Sequence, residues 1–161
     1  MKKILLFLFF LGSCSNFDFV HENSNQFLLN KKTLISVSGD NTDQAKIFLN
    51  NLLGDIESNP NYLLSLNIKK NVSKLVLETS SVATKYTIIH SVNYSLLDVF
   101  QDCVVFVFNE STSINYDSKS EGYSFGSDRA KIDAEIENLR MNISNFFINL
   151  NIHNPQLKCL K

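Results

Sequence analysis

The thiol of Cys14 is the first group in this chain whose surroundings imply chemistry. Lys2 and Lys3 supply a positive start, Ile4 to Leu11 is an unbroken Ile/Leu/Phe run, and the small pair Gly12-Ser13 stands directly before the cysteine. That is the order a secretory signal requires, and a cut before Cys14 leaves its sulfur on a new N-terminus. The apolar run is too short to span a bilayer as a helix. An ordinary secretory peptide cut near Ser13, with Cys14 a chance thiol, is the alternative. The features together read as a lipoprotein signal over residues 1–13, with Cys14 the first candidate functional residue.

The other two thiols are Cys103, in an apolar run, and Cys159, near the C-terminus. In an exported protein such a pair can form a disulfide. Two separate thiols, with Cys103 acting as a small buried hydrophobe, remain an alternative. His90, Asp98 and Cys103 fall on adjacent predicted strands and are where catalysis would be sought, but their spacing fits no nucleophile elbow or metal signature. His90 lies on the core face of its strand, where a hydrogen-bonded structural histidine is the commoner outcome. His21 and His153 fall in a tether and a tail, so a three-histidine zinc site is not expected. There is no glycine-rich phosphate loop. The expectation is therefore a protein that acts by binding, with no catalytic residue, metal or cofactor. Lys69, Lys70 and Lys74 form a small basic cluster that could meet phosphates, although lysines at strand ends usually guard an exposed edge.

These residues must be positioned by a chain of 161 residues, which without its signal suits one domain with one core. A formal net charge of -1 with 19% charged residues offers no overall field for nucleic acid. The 13 Phe and 5 Tyr place the chain among globular proteins, and 5 Gly with 2 Pro favour long elements over tight turns.

Residues 14–30 mix Ser, Asn, His and Glu with isolated Phe and show no period, so they read as a flexible tether. Thr33 to Ser38 is a short strand. Apolar residues at Ala45, Phe48, Leu49, Leu52, Leu53 and Ile56 then follow a helical face. Asn41 with Gln44 offers a capping box and Gly54 a C-cap, predicting a helix from Thr42 to Leu53. Tyr62, Leu64, Leu66 and Ile68 alternate with Leu63, Ser65, Asn67 and Lys69; Lys69-Lys70-Asn71 interrupts the pattern and Leu75 to Leu77 resumes it, favouring a bulged strand over a hairpin. Lys85 to Leu97 alternates most cleanly, with Tyr86, Ile88, His90, Val92, Tyr94 and Leu96 on one face. Cys103 to Phe108 is apolar on both faces, and Tyr116 to Gly126 reads as a polar loop. From a cap at Ser127, Ile132, Ile136, Leu139, Ile143, Phe146 and Leu150 trace the apolar stripe of a long closing helix. The order predicts an α+β fold, with two helices on one face of a three- to four-stranded mainly antiparallel sheet. The folded domain is expected over residues 31–152, followed by a tail at 153–161.

The ending at Cys14 resembles the bacterial lipobox, before whose cysteine a dedicated peptidase cuts; the resemblance implies that Cys14 becomes a lipid-carrying N-terminus that holds the protein to a membrane. The start TLISVSG, the run ATKYTIIHSVNYSLLD and the closing SDRAKIDAEIENLRMNISNFFINL together resemble the LPS-assembly lipoprotein family, LptE, over about Thr33 to Leu150. The resemblance implies an outer-membrane lipoprotein on the periplasmic side that plugs and helps assemble an LptD-like β-barrel, which inserts lipopolysaccharide. Ser15, rather than Asp, after the cysteine agrees with outer-membrane sorting by the same resemblance. Family members are thought to meet lipopolysaccharide phosphates through basic residues before the Tyr86 strand and before the last helix. Here Thr79 to Thr84 has none, so the candidate contacts are Lys69, Lys70, Lys74, Lys85 and Lys119. A polar, uncharged strand face suits a barrel lumen. The other reading is a different outer-membrane lipoprotein that binds an envelope enzyme or a lipid.

Overall fold

A computed structural model describes residues 28–56, 59–75, 83–119 and 124–160. Cys14, the signal and the tether up to residue 27 lie outside the described residues. The elements are β1 (Thr33–Gly39), α1 (Thr42–Leu53), β2 (Tyr62–Leu75), β3 (Ala83–Asp98), β4 (Cys103–Lys119) and α2 (Ser124–His153). They form an α+β fold with an open four-stranded sheet in the order β1-β2-β3-β4. β1 runs parallel to β2 through the α1 crossover, and the other two pairs are antiparallel.

Alternation along the strands decides the layers. Ile35 and Val37 of β1, Leu64, Leu66 and Ile68 of β2, Val92, Tyr94 and Leu96 of β3 and Phe106 of β4 face the helices. They share one core with Ala45, Leu49 and Leu53 of α1 and with Leu139, Ile143, Phe146, Phe147 and Leu150 of α2. Phe146 is fully buried and stacks on Tyr94 at 4.6 Å, while Phe106 and Phe147 meet it at 5.8 and 5.1 Å. Offset and edge contacts at these separations add to the area each ring removes from water.

Several expectations need correction. β2 keeps one register with β3 from Tyr62 to Leu75, so no bulge occurs at Lys69-Lys70-Asn71. Lys70 does fall on the helix-facing side, but Glu135 of α2 receives its ammonium at 3.1 Å, and the strand continues undisturbed. The irregularity lies instead between Leu96 and Leu97, where β4 carries Val105 as an extra residue. The polar stretch read as a loop from Tyr116 is strand as far as Lys119, with Tyr116 stacked on Tyr86 at 5.3 Å. α2 begins at Ser124, so Ser127 lies inside the helix rather than capping it.

The ends of the domain are also more ordered than their composition suggests. Leu29, counted with the tether, is fully buried, and Thr33 Oγ1 donates to its carbonyl at 2.8 Å. The C-terminal segment folds back: Leu157 joins the core, and Leu160 N–H donates to Val104 O at 2.8 Å. Cys103 and Cys159 are joined by a disulfide, with Cα atoms 5.7 Å apart and a sequence separation of 56. α1 has the bounds its period predicts, and Gly54 N–H closes it on Asn50 O at 2.8 Å. Its N-terminus lacks the expected capping box: Asn41 is left-handed, and its amide donates to Glu135 across the interface at 3.3 Å. Gly39 also has positive φ, and any side chain there would collide with the Ile68 carbonyl.

Two outcomes test this architecture. Phe146→Ala is expected to lower unfolding free energy by ~3–5 kcal/mol in urea titrations, because its buried ring cannot be replaced by local collapse. Cys159→Ser, or reduction of the bridge, is expected to cost about 2–4 kcal/mol in the same titration through the closed loop it releases.

Candidate functional site

The two faces of the sheet differ in kind. Opposite the helices, β1 presents Ser36 and Ser38, β2 presents Ser65, Asn67, Asn71 and Ser73, and β3 presents Thr87, Ser91, Asn93 and Ser95. β4 completes this face with Asn109, Ser111, Ser113 and Asn115. Short hydroxyls and amides tie neighbouring strands together: Asn67 Nδ2 donates to Ser38 Oγ at 3.0 Å, Thr87 Oγ1 to Asn115 Oδ1 at 2.6 Å, and Ser91 Oγ lies 3.2 Å from Ser111 Oγ. Leu34 and Val107 are exposed apolar exceptions. A shallow depression of about 390 Å³ crosses all four strands between Ser36, Asn67, Asn93 and Asn109. Its wall offers donors and acceptors without ionised groups, so it can hydrogen-bond a polar surface without desolvating charge.

The candidate phosphate-binding lysines do not all converge. Lys69 and Lys85 share the open face, but Lys69 pairs with Ser91, six residues from Lys85, a separation of about 20 Å along the strand. Lys70 and Lys74 lie on the helix side, with Lys70 engaged by Glu135. Lys119 ends β4 in register with Ala83, two residues from Lys85, so the register makes these two neighbours at the strand ends.

Of the candidate catalytic trio, Asp98 and Cys103 are register partners on β3 and β4, but His90 is remote from both. Asp98 lies eight residues from His90, about 26 Å along β3. Its Oδ1 accepts the backbone N–H groups of Phe100 and Gln101, both at 2.9 Å, shaping the β3–β4 turn. Cys103 is in the disulfide. Among the described residues, no group of three or more His, Cys, Asp and Glu is placed to hold a metal ion.

His90 belongs to a polar seam, absent from the sequence-based stripe, between α2 and the β3–β4 pair. Ile132 and Ile136, expected in the core, are 49% and 39% exposed, whereas Asn138 and Asn142 are fully buried. Asn138 Nδ2 lies 3.1 Å from Ile88 O, 3.2 Å from Thr112 O and 3.1 Å from His90 Nδ1. Asn142 Nδ2 reaches His90 O at 3.3 Å and Thr112 Oγ1 at 3.0 Å, while its Oδ1 accepts the Tyr94 hydroxyl at 2.7 Å. Asn145 Nδ2 adds Glu110 Oε1 at 2.7 Å. The signal was present in the sequence: Asn138, Asn142, Asn145 and Asn149 step by helical intervals. Burial holds the Tyr94 phenol well above its usual pKa, so it stays a neutral donor.

His90 is pushed below its usual 6.5 chiefly by burial and then by the Lys70 charge, with Glu135 and Asp40 pulling the other way. The unfolded chain therefore takes up this proton first as pH falls. The His90 contribution to stability is complete above about pH 6.5 and is lost as pH drops through the folded-state value. Unfolding titrations from neutral to mildly acidic pH are expected to show this decline, with His90→Gln removing that part of the slope. Asn142→Ala is expected to cost about 1–3 kcal/mol at neutral pH, because it leaves the Tyr94 hydroxyl buried without its acceptor.

No protein-family model matches the sequence, and no curated protein matches it. Several solved structures are similar in shape. A candidate lipoprotein from Caulobacter crescentus CB15 superposes with a TM-score of 0.59 at 17% identity, covering 86% of this chain and 98% of that one. Looser likenesses are a minor lipoprotein from Acinetobacter baumannii (TM-score 0.47, 14% identity, 77% and 93% covered) and the rare lipoprotein B from Shewanella oneidensis (TM-score 0.46, 16% identity, 73% and 90% covered). These structural neighbours are thus bacterial lipoproteins by name. At such identities the Caulobacter likeness establishes a shared fold.

Proposed function

We propose that this chain is an outer-membrane lipoprotein, held on the periplasmic side through a lipid on Cys14, whose domain fills the lumen of an LptD-like β-barrel and assists lipopolysaccharide assembly. It acts by binding and carries no catalysis. The observation that carries this reading is the open sheet face, where every strand contributes Ser, Thr or Asn and Lys69 is the charge at mid-sheet. The wall of a water-filled barrel is polar and cannot offer its own strand edges, so a neutral hydrogen-bonding surface suits it. The signal ending at Cys14 and the fold shared with the Caulobacter lipoprotein support the anchor.

In this reading, lipopolysaccharide phosphates meet Lys69 at mid-sheet and the neighbouring Lys85 and Lys119 at the strand ends, while Lys70 is occupied by Glu135. A different lipoprotein that binds an envelope enzyme or lipid would use the same anchor without a barrel.

Extraction of native membranes in mild detergent is expected to yield a one-to-one complex with a large β-barrel protein. Asn93→Trp, which places a bulky ring in the middle of the open face, is expected to weaken that complex about tenfold, ~1.4 kcal/mol, while leaving the melting curve unchanged. The protein purified without any barrel partner would overturn the plug. Cys14→Ser is expected to abolish labelling by radioactive palmitate and release the protein from membranes; unchanged labelling would overturn the anchor.

A further inference from the structure

The outer edge of β4 is long and, past its start, unpaired among the described residues. Asp40 N–H donates to Ile68 O at 2.9 Å, so even-numbered residues of β2 direct their backbone groups toward β1 and odd-numbered ones toward β3. Following the registers across the sheet, even-numbered residues of β4 such as Glu110 and Thr112 bond to β3. The N–H and C=O groups of Val107, Asn109, Ser111, Ser113 and Asn115 therefore point outward. The C-terminal segment covers only the start of this edge: Asn154 Nδ2 donates to Val105 O at 2.7 Å and Leu160 N–H to Val104 O at 2.8 Å. Beyond it, no partner occurs among the described residues. Residues 104–118 contain no Pro or Lys; Glu110 and Asp117 are the charges there, and the bulge at Val105 lies at the covered start of the edge.

α2 overhangs the same edge. Asn145 bonds to Glu110 of β4, which turns the helix face bearing Met141, Asn145, Ile148 and Ile152 toward it. Met141, Ile148 and Ile152 are 40%, 48% and 67% exposed. The opposite flank of the helix meets α1, with Arg140 lying over the Phe48 ring at 5.6 Å.

We propose that two copies of this chain join along this edge, β4 antiparallel to β4 about a two-fold axis near Ser111, with the Met141, Ile148 and Ile152 faces of both α2 helices meeting above the joint. A second copy fits where a closed barrel does not, because barrel strands have no unpaired backbone to offer, whereas another β4 brings the same free groups. The edge is also compatible with itself. About Ser111, Asn109 faces Ser113 and Val107 faces Asn115, so no like charges are brought opposite each other. The pairing does not rest on the barrel reading; it concerns the lipoprotein when no barrel holds it.

The test is the particle mass of the full chain, purified in detergent away from any barrel, by sedimentation and light scattering. Two copies per particle are expected. Ser111→Pro should give one copy with unchanged circular dichroism, since the N–H it removes faces outward and not into the β3–β4 ladder. Met141→Glu combined with Ile148→Glu should do the same through the helices. In an otherwise unchanged chain, Ser111→Cys should cross-link two copies on mild oxidation while Asn93→Cys, at mid-sheet, should not; this reading holds even if Ser111→Pro fails to fold. A single-copy wild type, a dimer that persists in a folded Ser111→Pro protein, an absent Ser111→Cys cross-link, or a different polypeptide found on the edge would each overturn self-pairing. Copurification of the Met141→Glu/Ile148→Glu protein with a barrel reports on the plug separately.

Discussion

One-sided burial governs this molecule. The strands put their large apolar side chains on one face and Ser, Thr and Asn on the other, so α1 and α2 have only one place to go. Each fully buried Leu, Ile or Phe contributes roughly 1.5–3 kcal/mol relative to exposure, whereas burying a bare hydroxyl or amide opposes folding. A helix on the Ser/Asn face would strand a dozen or so such groups, and the chain has no apolar face to offer them. The open side is therefore a consequence of the same alternation that builds the core, and it is free to be used.

The helix-covered side is not uniformly oily. Toward the far end of the strands, Leu and Phe give way to His90, Lys70 and Thr112, and α2 changes in step, supplying Glu135, Asn138 and Asn142. Buried polar groups are tolerated when paired, and paired amides constrain geometry more tightly than methyl groups do. The Asn142 amide reaches both β3 and β4 and accepts from Tyr94, so it sets how far α2 can slide along the sheet. Beside it, Phe146 packs on the same Tyr94 ring. One tyrosine thus belongs to the aromatic core through its ring and to the polar seam through its hydroxyl.

The surfaces left over divide the proposed work. The open face is broad, sparsely charged and hydrogen-bonding, suited to a polar wall. The β4 edge is narrow, made of backbone, and flanked by apolar helix residues, suited to another strand. The disulfide and the returning C-terminal segment end the free part of that edge at Val104 and Val105.

The sequence by itself determined what local spacing encodes. The α1 helix from Thr42 to Leu53, the alternation of β3, the order of elements and the signal-like start at Cys14 are all set by neighbours a few residues apart. Tertiary structure decided whatever depends on a partner distant in the chain. Lys70 appeared to break a strand because nothing nearby could accept its charge; Glu135, 65 positions later, could. The α2 stripe was drawn through Ile132 and Ile136 because hydrophobicity was the only local guide, yet the strands opposite present His90 and Thr112, and polar Asn side chains won that face. Leu29 and Leu157 looked like loose ends until the core that receives them was assembled. Periodicity reveals that a face will be buried, but the chemistry of what buries it is fixed by a surface that exists only once the chain has folded.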